Sequence, residues 1–149
     1  EPSELSASFG LEQLKGLSKN ISLREKNFRM HLKFFSNYED YFILPKQLDH
    51  SKTGWLAYPI ILKESKNIKR QDLQLFLEKN YIQTRVIFTG NILRQPGFKN
   101  IKCKGKVNDF PNSDYIMKNG ILIGCHHGLS ANQIKYIHKT IREYIKKFS

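Results

Sequence analysis

Apolar side chains form one stripe at the start of the chain. Leu5, Phe9, Leu14, Leu17, Ile21, Phe28, Leu32 and Phe35 are separated mostly by three, four or seven positions, the repeat of one helical face. The spacing predicts helix over residues 3–36, with Ser3 as its N-cap. Gly10, Gly16 and Asn20 weaken the middle, so a bend or break is expected between residues 16 and 21. A helix of this length must project beyond the core of so short a chain, or pack on something outside it.

Shorter elements follow. Residues 41–44 are an apolar run stopped by Pro45, and residues 54–62, GWLAYPIIL, form a stronger strand. Pro59 lacks a ladder N–H, so that strand has an edge or a bulge there. Leu73, Phe76 and Leu77 line one face of a short helix that ends by Asn80. Residues 84–88, TRVIF, read as a strand, and residues 89–98, with Gly90, Pro96 and Gly97, as an ordered loop. Residues 99–110 are a lysine-rich, exposed excursion. Residues 111–119 make a short helix capped by Asn112 or Ser113, and residues 120–124, GILIG, a strand. The last helix turns Ile134, Ile137, Ile141, Ile145 and Phe148 to one side. Short strands interleaved with helices predict an α+β fold: a small, mostly antiparallel sheet with helices packed on one face and a long N-terminal helix.

Composition narrows the class. The 149 residues fit one domain, and 40% hydrophobic against 26% charged residues is globular. No apolar run is long enough to span a membrane, and no signal-peptide pattern opens the chain. Cys103 and Cys125 read as free thiols in a reducing, cytoplasmic setting. The formal net charge of +12 comes mostly from lysines spread along the chain. Drift toward Lys, Ile and Asn, a phosphorylated small-molecule ligand and nucleic-acid binding all fit that excess. The opening EPSELSASFG, without Met and with helical patterning from the start, reads as a piece of a longer protein.

Two stretches carry candidate chemistry. In GCHHGLS, residues 124–130, Ser130 and Gln133 have capping-box spacing, and Leu129 can staple against Ile134. A metal site needs three or four converging ligands, and adjacent histidines in an extended segment point opposite ways. A Cys125 nucleophile lacks a third orienting group. Helix-start machinery, or a cleft-rim loop in which His126 or His127 touches substrate, both remain. In residues 84–98, Arg85 and Arg94 flank Thr89, Gly90 and Asn91. Guanidinium forks beside hydroxyl and amide groups suit a phosphorylated or hydroxyl-rich ligand, or simply a solvated turn. No P-loop, dinucleotide fingerprint, zinc spacing, HExxH motif or Ser–His–Asp signature is present.

SASFGLEQL, GWLAYPIIL, NYIQTRVIFTGNILRQPGF and the stretch from Asn112 to Ile145 together resemble the C-terminal part of the DegT/DnrJ/StrS family of pyridoxal-phosphate enzymes acting on nucleotide-linked keto sugars. The most specific motifs are TR-x-x-x-x-GN-x-x-x-QP, from Thr84 to Pro96, and D-x-x-M-x-N-G…G-x-x-x-GL-x-x-x-Q-x-x-Y, from Asp114 to Tyr136. GN-x-x-x-QP and HHGLS look most like the sugar 3-dehydratase branch. The resemblance implies the small C-terminal domain of the aspartate-aminotransferase fold, with residues 1–38 as linking helix and 39–149 as the α+β core. It implies C3 deoxygenation of a nucleotide-linked 4-keto-6-deoxy sugar, with a sugar aminotransferase as the alternative; the basic charge, apart from the resemblance, leaves a nucleic-acid-binding module as a second alternative. Such chemistry belongs to deoxysugar and lipopolysaccharide O-antigen biosynthesis. The resemblance also implies pyridoxal or pyridoxamine phosphate in the full-length enzyme, a homodimer, and an iron–sulfur reductase partner in some members. Arg85, Thr89, Asn91 and Arg94, with His126 and His127, would contact substrate. No catalytic, cofactor-binding or metal residue is expected within these residues, and the fragment alone would be inert.

Overall fold

In the computed structural model, residues 3–66, 68–98 and 100–148 are described. The opening pattern folds as two helices, α1 (Glu4–Lys15) and α2 (Leu17–Phe35), which meet at Gly16. Ser3 caps α1 by accepting a hydrogen bond from the Ser6 N–H, and the Gly16 N–H closes on the Gln13 carbonyl. The apolar stripe then splits in two. Phe28 and Phe35 are buried, whereas Leu5, Phe9, Leu14 and Leu17 stand in solvent, Leu5 with 82% and Phe9 with 70% of its surface exposed. The outer helix has no core to face among the described residues.

Four strands, β1 (Phe42–Ile43), β2 (Ala57–Leu62), β3 (Thr84–Val86) and β4 (Gly120–Gly124), form one antiparallel sheet in the order β1-β2-β4-β3. Pro59 sits opposite Leu122, and β1 reaches only Ile61 and Leu62. The proline therefore lies where β2 has a neighbour on one side alone, and the edge predicted for it is what the sheet provides. Period-two alternation buries Tyr58, Ile60 and Leu62 of β2 and Ile121 and Ile123 of β4 on one face. Helices α2, α3 (Arg70–Lys79) and α5 (Ala131–Ile145) cover that face with Phe28, Phe35, Leu73, Leu77, Ile137 and Ile141. Phe35 stacks on Tyr58 at 5.3 Å, and Phe28 stacks on Trp55 at 4.1 Å.

Several boundaries differ from the sequence expectation: β1 and β2 are shorter than the runs 41–44 and 54–62, and three further differences have a local cause. Helix α4 (Pro111–Asn119) is not capped by Asn112 or Ser113. Pro111 takes the first helical position, where its fixed φ and missing N–H suit a helix start, and Phe110 is the cap residue without a side-chain bond. Strand β3 stops at Val86, because Phe88 adopts φ +45° and its N–H turns back to the Val86 carbonyl. Phe148 lies beyond the end of α5 and is 40% exposed.

Two buried polar atoms mark a cost in this core, the hydroxyls of Tyr58 and Tyr144. Neither has a hydrogen-bond partner among the described residues. An unmet buried hydroxyl typically costs about 1–3 kcal/mol. Tyr58→Phe is therefore expected to leave stability unchanged or raise it by about 1 kcal/mol in urea denaturation; a loss would mean that the hydroxyl has a partner in solution.

Candidate functional site

A cleft of about 370 Å³ opens beside β3, between the end of α3 and the start of α5. Its floor is apolar, from Ala57, Leu122 and Leu129, and Arg85 and His126 reach its rim from distant parts of the chain. Thr84, the first residue of the TR motif, holds the wall in place. It is buried, and its N–H and hydroxyl both donate to the Glu78 carboxylate, at 2.8 and 2.9 Å. Those two bonds hold the Glu78 carboxyl below the usual carboxylate range. Arg85 follows on an exposed edge strand, its Nη1 donating to the Thr84 carbonyl at 3.0 Å. With the Gln83 amide turned so that its oxygen faces Arg85, that oxygen accepts from Nη2 at 2.7 Å. Arg85 forms no carboxylate ion pair among the described residues, although the Glu78 carboxylate feels its charge, and its exposed fork can meet an anion.

The rest of the motif builds a loop. Gly90 has φ +62°, and a Cβ there would come within 2.2 Å of Met117 Cβ. Asn91 is buried, and its Nδ2 donates to the Val107 carbonyl at 3.0 Å and Asp114 Oδ1 at 2.9 Å, while its Oδ1 accepts from the Leu93 N–H. Arg94 donates through Nε and Nη2 to both oxygens of Asp114, at 2.5 and 2.6 Å. The Arg94 bond draws the Asp114 carboxyl below its usual range against partial desolvation, and Asn91 adds to the pull. Gln95 closes the turn on the Thr89 carbonyl at 3.0 Å. Both family-like motifs thus dock on each other, Gly90, Asn91 and Arg94 against Asp114 and Met117. The substrate role expected for Asn91 and for Arg94 meets side chains already engaged in that docking, and neither lines the cleft. Thr89 is exposed outside it.

GCHHGLS does two things at once. Ser130 and Gln133 form the expected capping box at the start of α5. Leu129 packs its Cδ1 over Gly124, 3.1 Å from where a Cβ would stand. The carbonyls of the loop are gripped from α2: Asn27 Nδ2 donates to His126 O at 2.8 Å, and His31 Nε2 to Gly124 O at 2.9 Å. A carbonyl only accepts, so neutral His31 carries its proton on Nε2, and its Nδ1 accepts from His138 Nε2 at 3.0 Å. This tautomer follows from the bonding network. His138 in turn stacks on Phe34 at 4.1 Å. Burial pushes His31 down to about 4 and, with the nearby His31 and Arg142, His138 down to about 3. His126 and His127 are exposed with rings 85° apart, and only His126 lines the cleft. Cys125 is buried with its thiol against the Arg24 carbonyl, and burial pushes it up to about 11, which removes the nucleophile reading. Among the described residues no three His, Cys, Asp or Glu side chains converge as metal ligands. No helix of the described residues is long and apolar enough to cross a membrane.

Sequence reasoning missed Asn27, His31 and His138, which fix the His-bearing loop. The available signal was Arg24, Asn27 and His31, polar residues at helical spacing beside the buried apolar stripe of α2. It also missed Tyr81 and Tyr136, which line the cleft beside Arg85.

The chain is similar to known proteins along nearly all its length. It is 31% identical over 141 residues to the lipopolysaccharide biosynthesis protein RfbH of Salmonella typhimurium, covering 95% of this chain and 32% of that protein. It is 32% identical over 145 residues to the GDP-4-keto-6-deoxy-D-mannose 3-dehydratase of Yersinia pseudotuberculosis, covering 95% of this chain and 35% of that protein. The structure superposes with a TM-score of 0.81 on the E. coli GDP-4-keto-6-deoxy-D-mannose 3-dehydratase solved with bound hydrated PLP, at 28% identity and covering 94% of this chain and 35% of that one. The chain spans about a third of the length of the curated relatives it matches. The fold is that of PLP-dependent aminotransferases. Residues 3–142 match the DegT/DnrJ/EryC1/StrS aminotransferase family across sheet, cleft and both motifs, and the chain belongs to that family.

Proposed function

We propose that these residues are the C-terminal, small domain of a nucleotide-sugar 3-dehydratase dependent on pyridoxal or pyridoxamine phosphate. The enzyme would remove the C3 hydroxyl of a nucleotide-linked 4-keto-6-deoxy sugar on the way to deoxysugars of lipopolysaccharide. Residues up to 38 are its linking helix and residues 39–149 its α+β core. The exposed apolar side chains of α1 are what such a helix would bury against a larger domain. A homodimer, a cytoplasmic location and an iron–sulfur reductase partner belong to the same proposal.

The observation that carries the reading is the cleft. Arg85 and His126, one from each family-like motif, stand on the rim of one apolar hollow, with no ion pair at Arg85 among the described residues. A guanidinium fork there suits a diphosphate, and His126 adds a second polar contact. The cofactor does not fit this cleft. When bound, it supplies an electron sink, and its pyridine nitrogen and phosphate need charged partners. The described residues that line the hollow include no Lys, Asp or Glu, and the one guanidinium, Arg85, cannot meet both groups. No step through the cofactor is therefore drawn from this chain, whose part is to bind and orient the substrate.

The test is kinetic. The complete enzyme carrying this chain, supplied with PLP, should convert GDP-4-keto-6-deoxymannose to a 3-deoxy sugar. Arg85→Ala should lower kcat/KM by about tenfold or more, the scale of a lost charged hydrogen bond. An amino sugar as product would move the chain to the aminotransferases. Unchanged kinetics in the variant would remove Arg85 from the site.

A further inference from the structure

Helix α3 ends in a Schellman motif: the Tyr81 N–H bonds to the Glu78 carbonyl at 3.0 Å and the Ile82 N–H to the Leu77 carbonyl at 2.9 Å. Buried Ile82 and Leu77 supply the apolar contact that accompanies such an ending. The residue between Asn80 and Ile82 must be left-handed, a position that glycine fills without strain. Here it is Tyr81, at φ +59°. The fold draws nothing visible from the ring. Tyr81 is 96% exposed, and among the described residues no ring contact or side-chain hydrogen bond involves it. A side chain that strains the backbone, packs on nothing and lines the cleft is placed for a ligand rather than for stability.

Resting on the nucleotide-sugar reading above, we infer that Tyr81 is the platform on which the base of the nucleotide stacks, beside Arg85 as the diphosphate anchor. An exposed aromatic face suits any flat base, because stacking is tolerant of base identity. Both residues line the same hollow, only four positions apart, on the turn and strand that follow α3.

The experiment is a calorimetric titration of the complete enzyme with GDP, paired with thermal melting. Tyr81→Gly should weaken GDP about tenfold and leave the Tm unchanged or higher, because the strain is relieved. Tyr81→Phe, which keeps the ring, should bind within about twofold of the parent on the same scale. Tyr81→Asn, which tolerates the left-handed region, serves if the glycine variant fails to fold. A merely structural tyrosine gives the opposite signature, a lower Tm with GDP binding intact. GDP binding unchanged in Tyr81→Gly but weakened in Arg85→Ala overturns the platform and keeps the cleft. Binding unchanged in both overturns the nucleotide reading as well.

Discussion

Gly90→Ala should destabilise the fold by about 2–5 kcal/mol in urea denaturation, as overpacking adds to the cost of a left-handed residue that bears a Cβ. The added Cβ would fall 2.2 Å from Met117 Cβ, 2.5 Å from its Cγ and 2.9 Å from its Cα. Rotating the methionine cannot relieve this, because two of those atoms are fixed by the backbone of α4. The loop must lift, and Asn91, the next residue, would then strain its bonds to Asp114 and Val107. Gly97→Ala is the control: nothing lies within 4 Å of its added Cβ, and its φ is not left-handed. That variant should stay within about 0.5 kcal/mol of the parent. Equal stabilities for the two would show that Gly90 is not under the contact described.

Acid should unfold the protein through the His31–His138 pair. Both imidazoles are neutral in the fold, with His31 held down at about 4 and His138 at about 3, against 6.5 in the unfolded chain. The unfolded state then binds more protons between those values, so stability is complete above pH 6.5 and falls as the pH drops toward 4 and below. His31 alone accounts for about 3 kcal/mol of that loss. Denaturation at intervals from pH 7.5 down to about 4 reads the slope, and a flat profile across that range would sink the prediction. His138→Gln keeps an N–H for His31 Nδ1 and removes one titration, so it should flatten part of the slope. On protonation His31 Nδ1 becomes a donor and the bond from His138 is lost, while Nε2 keeps its bond to the Gly124 carbonyl, so the damage falls on the buried pair.

Resemblance pointed to Arg85, Asn91 and Arg94 as a group, and the tertiary structure separates them. Their residue types are alike in suiting phosphate or hydroxyl groups, and sequence carries no sign of which are already bonded. Asp114, which engages Asn91 and Arg94, lies 20 residues from Arg94. No local pattern reports a pairing at that distance. Likewise GCHHGLS displays its histidines openly, while the side chains that hold the loop come from α2, about a hundred residues earlier.

What the sequence determined by itself was everything set by neighbours along the chain. The period of the apolar positions marked out the helices and strands, and Ser130 and Gln133 capped α5. Gly16 broke the long helix, and Pro59 marked the stretch of β2 without a second neighbour. These depend on dihedral preference and on hydrogen bonds three or four residues apart. The tertiary structure alone decided which polar groups face the cleft, which are consumed in docking one motif on the other, and that His31 and His138 are buried as a pair. Those outcomes depend on burial and on contacts between segments far apart in sequence, where the dielectric and the partner are properties of the assembled core.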